Sequence, residues 1–299
     1  MLGIFKNLSN DEYHSDRSAV SRSGLWEFRK TPAHYYHAYL NPERPEKKTT
    51  PDMAFGSAFH TFVLEPHLFE QQYSVNDLVL PEVDEKPLKR DLQAEHGKEL
   101  GAEMYEEAKR VEIQQKALRD RVIADFSAKS AGKELITVEQ MEKLHLMRQS
   151  VLSHPDAARL IDGGAIEHSM FWEDPHTGVR CKTRPDIWFS NMTVDLKTCS
   201  SADERSFISS VASYGYQLQS AMNREGIYHN TNNDIKTHAF ICVEKTWPHL
   251  VAVYTLDIET LDSAHVMYKN ILRDFAECKA KNEWPGYVTQ EITLPEWAR

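Results

Sequence analysis

The stretch from Arg180 to Ser200, RCKTRPDIWFSNMTVDLKTCS, constrains the fold of this chain more than any other. β-Branched and aromatic residues dominate Gly178 to Phe189 and Thr193 to Cys199, and Ser190-Asn191 between them has turn chemistry, so two strands joined by a turn are predicted. Alternation sets Arg180, Lys182, Arg184 and Asp186 on one face and Cys181, Thr183 and Pro185 on the other. In the second strand Asp195 and Lys197 share a face while Val194 and Leu196 turn toward the core. A hairpin would therefore gather Asp186, Asp195 and Lys197 beside a basic strip. Two carboxylates so placed can hold one or two Mg2+ ions against a phosphate. A nearby lysine can orient or deprotonate an attacking water, or neutralise charge in the transition state.

The order Pro185-Asp186, a spacer, then Asp195-Leu196-Lys197 resembles the signature of the PD-(D/E)XK nucleases. The same residues also fit a charged, solvent-facing hairpin, so the rest of the chain has to decide.

Before this stretch the pattern is mostly helical. Ser21 or Ser23 can cap a helix carrying Leu25, Trp26 and Phe28, and Thr31-Pro32 can start another holding Tyr35, Tyr36 and Tyr39. A charged linker, Pro42 to Thr50, precedes PDMAFGSAFHTFVLEP, where Phe55, Phe59, Phe62 and Val63 fall on one helical face and Asp52 reads as the N-cap. His60 borders that stripe, and Gly56 one turn earlier leaves room for an ion or a phosphate. Pro81 to Lys133 reads as a loop and a solvated helix. Thr137 to His154 reads as a helix with Thr137 and Gln140 as its capping pair and Val138, Leu144, Leu146, Met147 and Val151 among its apolar positions.

Strands return at Ala165 to Glu173, giving a three-stranded meander with the pair already described. Ser201 and Glu204 form a capping box for a helix expected to run to about Asn223, with Gln217 and Gln219 on opposite borders of its apolar stripe. Two more strands, Thr237 to Val243 and Leu250 to Leu256, and a long helix, Ile258 to Lys281, close an α/β core. The tail EWPGYVTQEITLPEWAR is aromatic and suited to surface packing or subunit contacts.

A chain of 299 residues can bury a sizeable core. Cys181, Cys199, Cys242 and Cys278 have neither zinc nor disulfide spacing. No apolar run approaches the ~20 residues of a membrane span, and the polar start does not read as a secretory signal, so a cytoplasmic protein is expected. A net charge of -10 demands segregation of charge if the partner is DNA, with a basic channel inside an acidic exterior.

Five motifs in order, FGSAFHTFVLEP, RCKTRPD, VDLKT, YGYQLQ and the closing EWPGY…LPEWA, resemble the nuclease domain of the RecE (exonuclease VIII) family of phage and prophage PD-(D/E)XK exonucleases. The resemblance spans nearly the whole chain. It implies one restriction-endonuclease-like domain over 1–299: a mainly helical part, 1–160, supplying His60, and a catalytic core, 161–299, with a central mixed sheet flanked by helices. It implies Mg2+-dependent digestion of linear double-stranded DNA from 5′ ends, releasing mononucleotides and leaving 3′ tails for strand-annealing recombination in the bacterial host. Two ions per site are implied, with Mn2+ able to substitute. His60, Asp186, Asp195 and the Leu196 carbonyl would be metal ligands, Lys197 the catalytic lysine and Gln219 its helix glutamine. Arg180, Lys182 and Arg184 are candidates for DNA contact. The resemblance further implies a toroidal homotetramer and a RecT-like single-strand annealing partner. The chain departs from the family at Asn223, where a tyrosine commonly stands. The competing readings are a structure-specific endonuclease or single-strand exonuclease of the same superfamily, and a non-catalytic DNA-binding subunit.

Overall fold

A computed structural model describes residues 2–45 and 48–298. Met1, Glu46 and Lys47 of the expected linker, and Arg299 of the tail lie outside the described residues. In chain order, β1 (Gly3–Phe5), α1 (Asn10–Ser15), α2 (Arg22–Lys30), α3 (Pro32–Tyr35) and a π turn (Tyr36–Leu40) lead to α4 (Pro51–Leu64). Then come α5 (Pro66–Gln72), β2 (Tyr73–Asn76), α6 (Lys89–His96), α7 (Lys98–Ser130), β3 (Glu134–Thr137), α8 (Val138–Ser153) and α9 (Pro155–Ile161). The remainder is β4 (Ala165–Ile166), β5 (Ser169–Glu173), β6 (Arg180–Thr183), β7 (Ile187–Trp188), β8 (Thr193–Cys199), α10 (Glu204–Tyr214), α11 (Tyr216–Thr231), β9 (His238–Glu244), β10 (Val251–Thr255) and α12 (Ile258–Lys281).

The chain forms two compact units, one of residues up to His60 together with those from Leu146 onward, the other Thr61–His145. The first unit holds a five-stranded mixed sheet in the order β10-β9-β8-β7-β4 and an antiparallel three-stranded sheet β1-β5-β6. Only β8 and β9 run parallel in the larger sheet. These are its central strands. Ala239, Phe240, Ile241, Cys242 and Val243 of β9 are all fully buried, the continuous apolar run expected of a strand covered on both faces. Leu218, Ala221 and Met222 of α11 pack with Tyr268, Leu272 and Phe275 of α12, with Leu25 and Phe28 of α2, and with Trp172 of β5 in the main core. Burying each of these large side chains contributes roughly 1.5–3 kcal/mol.

In the second unit β2 and β3 pair in parallel. The 33-residue α7 is charged along its length, with i,i+3 and i,i+4 ion pairs such as Glu107–Arg110 at 2.5 Å and Glu112–Lys116 at 2.5 Å. It is the solvated helix expected from its composition.

Local signals hold well. Ser21 and Thr31 cap α2 and α3 by accepting from the Gly24 and His34 amides, and Thr137 and Gln140 cap α8 reciprocally. All four cysteines are free thiols. No described helix is long and apolar enough to cross a membrane.

Several expectations need correction. Thr50, not Asp52, caps α4: its Oγ1 accepts from the Met53 amide at 3.3 Å, while Asp52 lies inside the first turn and accepts from Lys245 at 2.6 Å. Leu146 and Val138 are exposed on α8. The expected meander is two sheets, because the chain crosses from one to the other after β4 and again after β6. The long helix after β8 is two helices, and Asp203, not Ser201, caps the first. Gly215 breaks them at φ 69°, in the left-handed region, and a Cβ there would sit 2.4 Å from the Trp26 ring. The strands β1, β2 and β3 are only three or four residues long, too short for alternation to mark them.

Candidate active site

Asp186 lies in the break between β6 and β7, where Pro185 cannot donate to a ladder and the chain changes sheet. The antiparallel register pairs Ile187 with Val194, so one step further sets Asp186 opposite Asp195. Asp186 Oδ2 then accepts the Leu196 amide hydrogen at 2.7 Å. On β8, Asp195 is fully buried and forms an ion pair with the Lys197 ammonium. From α11, Gln219 Nε2 donates to Asp195 Oδ1 at 2.9 Å. From α4, His60 Nδ1 comes within 3.5 Å of Asp186 Oδ2. Thus His60, Asp186, Asp195, Lys197 and Gln219, scattered over 160 residues of sequence, meet in one cluster around the Leu196 backbone.

Electrostatics divide the two aspartates. Burial and the neighbouring Asp195 charge push the Asp186 carboxyl well above the usual carboxylate range. Burial acts the same way on Asp195, but Lys197 beside it, with His238 and His60, holds its carboxyl below that range. Burial opposes the charge on Lys197, yet Asp195 and Asp186 outweigh it and raise the ammonium above its ordinary value. Burial drives His60 down to about 4, so its imidazole is neutral and suited to ligation.

One neighbour carries no sequence signal. Glu167 sits on the short link between β4 and β5 with φ 53°, and its amide donates to the Asp186 carbonyl at 3.1 Å. His60, Glu167 and Asp186 each offer a donor atom, all lying within 4.8 Å of one another. A group of two carboxylates and a neutral imidazole fits a divalent cation, as does the crowding of like charge around buried Asp186. In the sequence Glu167 falls inside the expected strand Ala165 to Glu173, and nothing in AIE or HSMFW marks a ligand.

Arg180, Lys182 and Arg184 do not form the strip expected on one strand face with Asp186. The strand ends at Thr183, and each side chain is committed to the N-terminal segment. Arg180 donates to Ser18 Oγ at 2.9 Å. Lys182 is buried over the Tyr13 ring and donates to the Tyr13 carbonyl and, at 2.7 Å, to the Asp16 carbonyl. Burial lowers its ammonium to about 8. Arg184 donates to Ser169 Oγ at 2.7 Å and to the Leu8 carbonyl at 2.8 Å. Lys182 and Arg184 line a groove of about 1240 Å3 together with Arg17, Arg22, Arg44, Tyr39, Glu167 and Gln219.

Gly56 is not demanded by packing, since a Cβ there would meet Thr198 Oγ1 at an ordinary 3.8 Å. Asn223, standing at the family's tyrosine position, is fully buried and accepts from Thr183 Oγ1. Another ring is near the lysine: Tyr216 lies under Lys197, 5.0 Å from its Nζ.

Among solved structures the chain is similar to a candidate exonuclease from Eubacterium rectale, with a TM-score of 0.57, 14% identity and 96% of each chain covered. That likeness is one of fold. The crystal structure of SSO0001 has a TM-score of only 0.24 at 18% identity, over 75% of this chain and 90% of that one, and bears no weight. No curated protein matches. Residues 21–292 match the model of the PDDEXK-like domain of unknown function DUF3799, and the chain therefore belongs to that family and, through it, to the PDDEXK nuclease superfamily.

Proposed function

We propose that this protein is a Mg2+-dependent 5′-to-3′ exonuclease acting on linear double-stranded DNA, releasing mononucleotides and leaving 3′ tails for strand annealing. One observation carries the reading: a lysine, two aspartates, a histidine and a glutamine from separate parts of the chain converge in one cluster, and the glutamine, Gln219, lines a groove that Arg17, Arg22 and Arg44 also line. Membership of the PDDEXK family and the fold shared with a candidate exonuclease support it. The motifs of the RecE family carry the finer assignment, including the host cytoplasm, the toroidal homotetramer and the RecT-like partner.

His60, Asp186, Asp195 and the Leu196 carbonyl would hold the cation, and the His60 ring and the Leu196 amide already meet at Asp186 Oδ2. When bound, the divalent cation supplies Lewis-acid polarisation of the scissile phosphate. Lys197 is held charged by Asp195 and Asp186, so it serves as a donor that orients the attacking water and neutralises charge on the phosphate, not as a base in the resting site. Gln219 fixes the Asp195 carboxylate that in turn fixes Lys197, a two-bond chain that sets the lysine's direction. The groove positions the strand, with Arg17, Arg22 and Arg44 offering phosphate contacts on its wall.

The test is a blunt linear duplex labelled at its 5′ or 3′ end, with and without Mg2+, beside a closed circle. Immediate Mg2+-dependent release of the 5′ label with the circle intact is the expected result. Cutting of the circle would make the protein an endonuclease; binding without cleavage would make it a silent subunit.

A further inference from the structure

Glu167 is absent from the ligand set of the previous section, yet the fold delivers it to the same point. The link between β4 and β5 is two residues long because these strands belong to different sheets, and Glu167 makes the crossing in the left-handed region. A non-glycine residue at this φ costs roughly 1 kcal/mol or more. Its amide is bonded to the carbonyl of Asp186, so backbone and side chain of Glu167 face the same residue.

Asp195 does not compete for this position. One of its oxygens takes the Gln219 amide and the other faces Lys197. Arg184 has its Nε 4.0 Å from Glu167 Oε2 and also donates to Ser169, Asn10 and the Leu8 carbonyl. The Glu167 side chain is 21% exposed and lines the groove, which gives an ion a way in from solvent.

The geometry points to Glu167 as a third side-chain donor, completing with His60 and Asp186 a site for one divalent cation of the Mg2+ or Mn2+ class. This deepens the metal-dependent reading above and rests on it. The three donors come from α4, from the β4–β5 link and from the β6–β7 break, so each is set by a different part of the core. Asp195 is left to hold Lys197 and to share a second ion.

The experiment is Mn2+ binding to the full chain without DNA, followed by electron paramagnetic resonance of free Mn2+. Glu167→Gln keeps the side chain's shape and polar contacts while removing its charge. It is expected to weaken the tightest Mn2+ site by at least about tenfold while the metal-free melting curve stays that of a folded protein. Unchanged affinity in E167Q would reduce Glu167 to a neighbour of Arg184 and overturn the proposal, leaving the metal-dependent reading in place. Wild type that binds no Mn2+ would remove that reading and this one together. Should E167Q fail to fold, wild-type crystals soaked in Mn2+ decide: an anomalous peak within bonding distance of a Glu167 oxygen is expected, and a peak bonded to Asp186 but not to Glu167 overturns the assignment.

Discussion

Asp186 Oδ2 accepts the Leu196 amide hydrogen at 2.7 Å, so the Pro-Asp carboxylate is tied to the backbone midway between Asp195 and Lys197. The bond keeps Asp186 at the crossing of two sheets and close to a second carboxylate. Burial and Asp195 raise the Asp186 carboxyl well above the ordinary value of about 3.9. A carboxyl raised in the folded state stabilises it fully below the ordinary value, and that contribution is lost as pH rises through the raised one. In EDTA, wild type is therefore expected to lose stability relative to Asp186→Asn as pH is taken upward from about 4, and saturating Mg2+ is expected to reverse the loss. Thermal melts of both proteins across pH check this; parallel curves would refute it.

His238 behaves in the opposite sense. It is 2% exposed on β9, its Nδ1 lies 2.7 Å from Thr193 Oγ1, and burial lowers its imidazole to about 4. A base lowered on folding contributes stability that is complete above about 6.5 and is lost as pH falls toward 4. His238→Gln is expected to flatten this acid limb by up to about 3 kcal/mol. Denaturant melts at pH 7 and pH 4.5 measure the difference, and equal wild-type and variant losses would count against it.

Gly215→Ala is expected to cost about 2 kcal/mol or more, from the left-handed backbone and the Trp26 ring in the path of the new Cβ. Because α11 begins at the next residue and carries Gln219, nuclease turnover should fall along with the melting temperature. Retained stability and activity would show that the helix break tolerates a side chain.

Lys197→Ala is expected to lower turnover on a linear duplex by about a hundredfold or more, the scale of removing one preorganised donor at a transition state. Gln219→Ala, one bond further out, should cost less, while Gln217→Ala on the other side of α11 should leave the rate within about twofold. Single-turnover cleavage at saturating Mg2+ ranks the three. A Q217A loss equal to that of Q219A would place the glutamine effect in the helix and not in the Asp195 contact.

Much of this was legible in sequence where the physics is local. Ser21, Thr31 and the Thr137–Gln140 pair cap their helices with side chains that reach three residues, β9 and β10 follow from short apolar runs, and α12 follows from its helical period. The Asp195-Leu196-Lys197 strand is of the same kind, because alternation alone puts two charges on one face and Leu196 in the core. Tertiary structure decided the rest. Alternation cannot reveal that Arg184 to Asp186 leaves one sheet for another, so the expected basic strip became a set of anchors for the N-terminal segment. Gly215 reads as a helix interior until Trp26, 189 residues away, occupies the space of its missing Cβ. Glu167 is one acidic residue in a strand-like run, and only the crossing between two sheets, a long-range packing event with no period of its own, turns it toward His60 and Asp186.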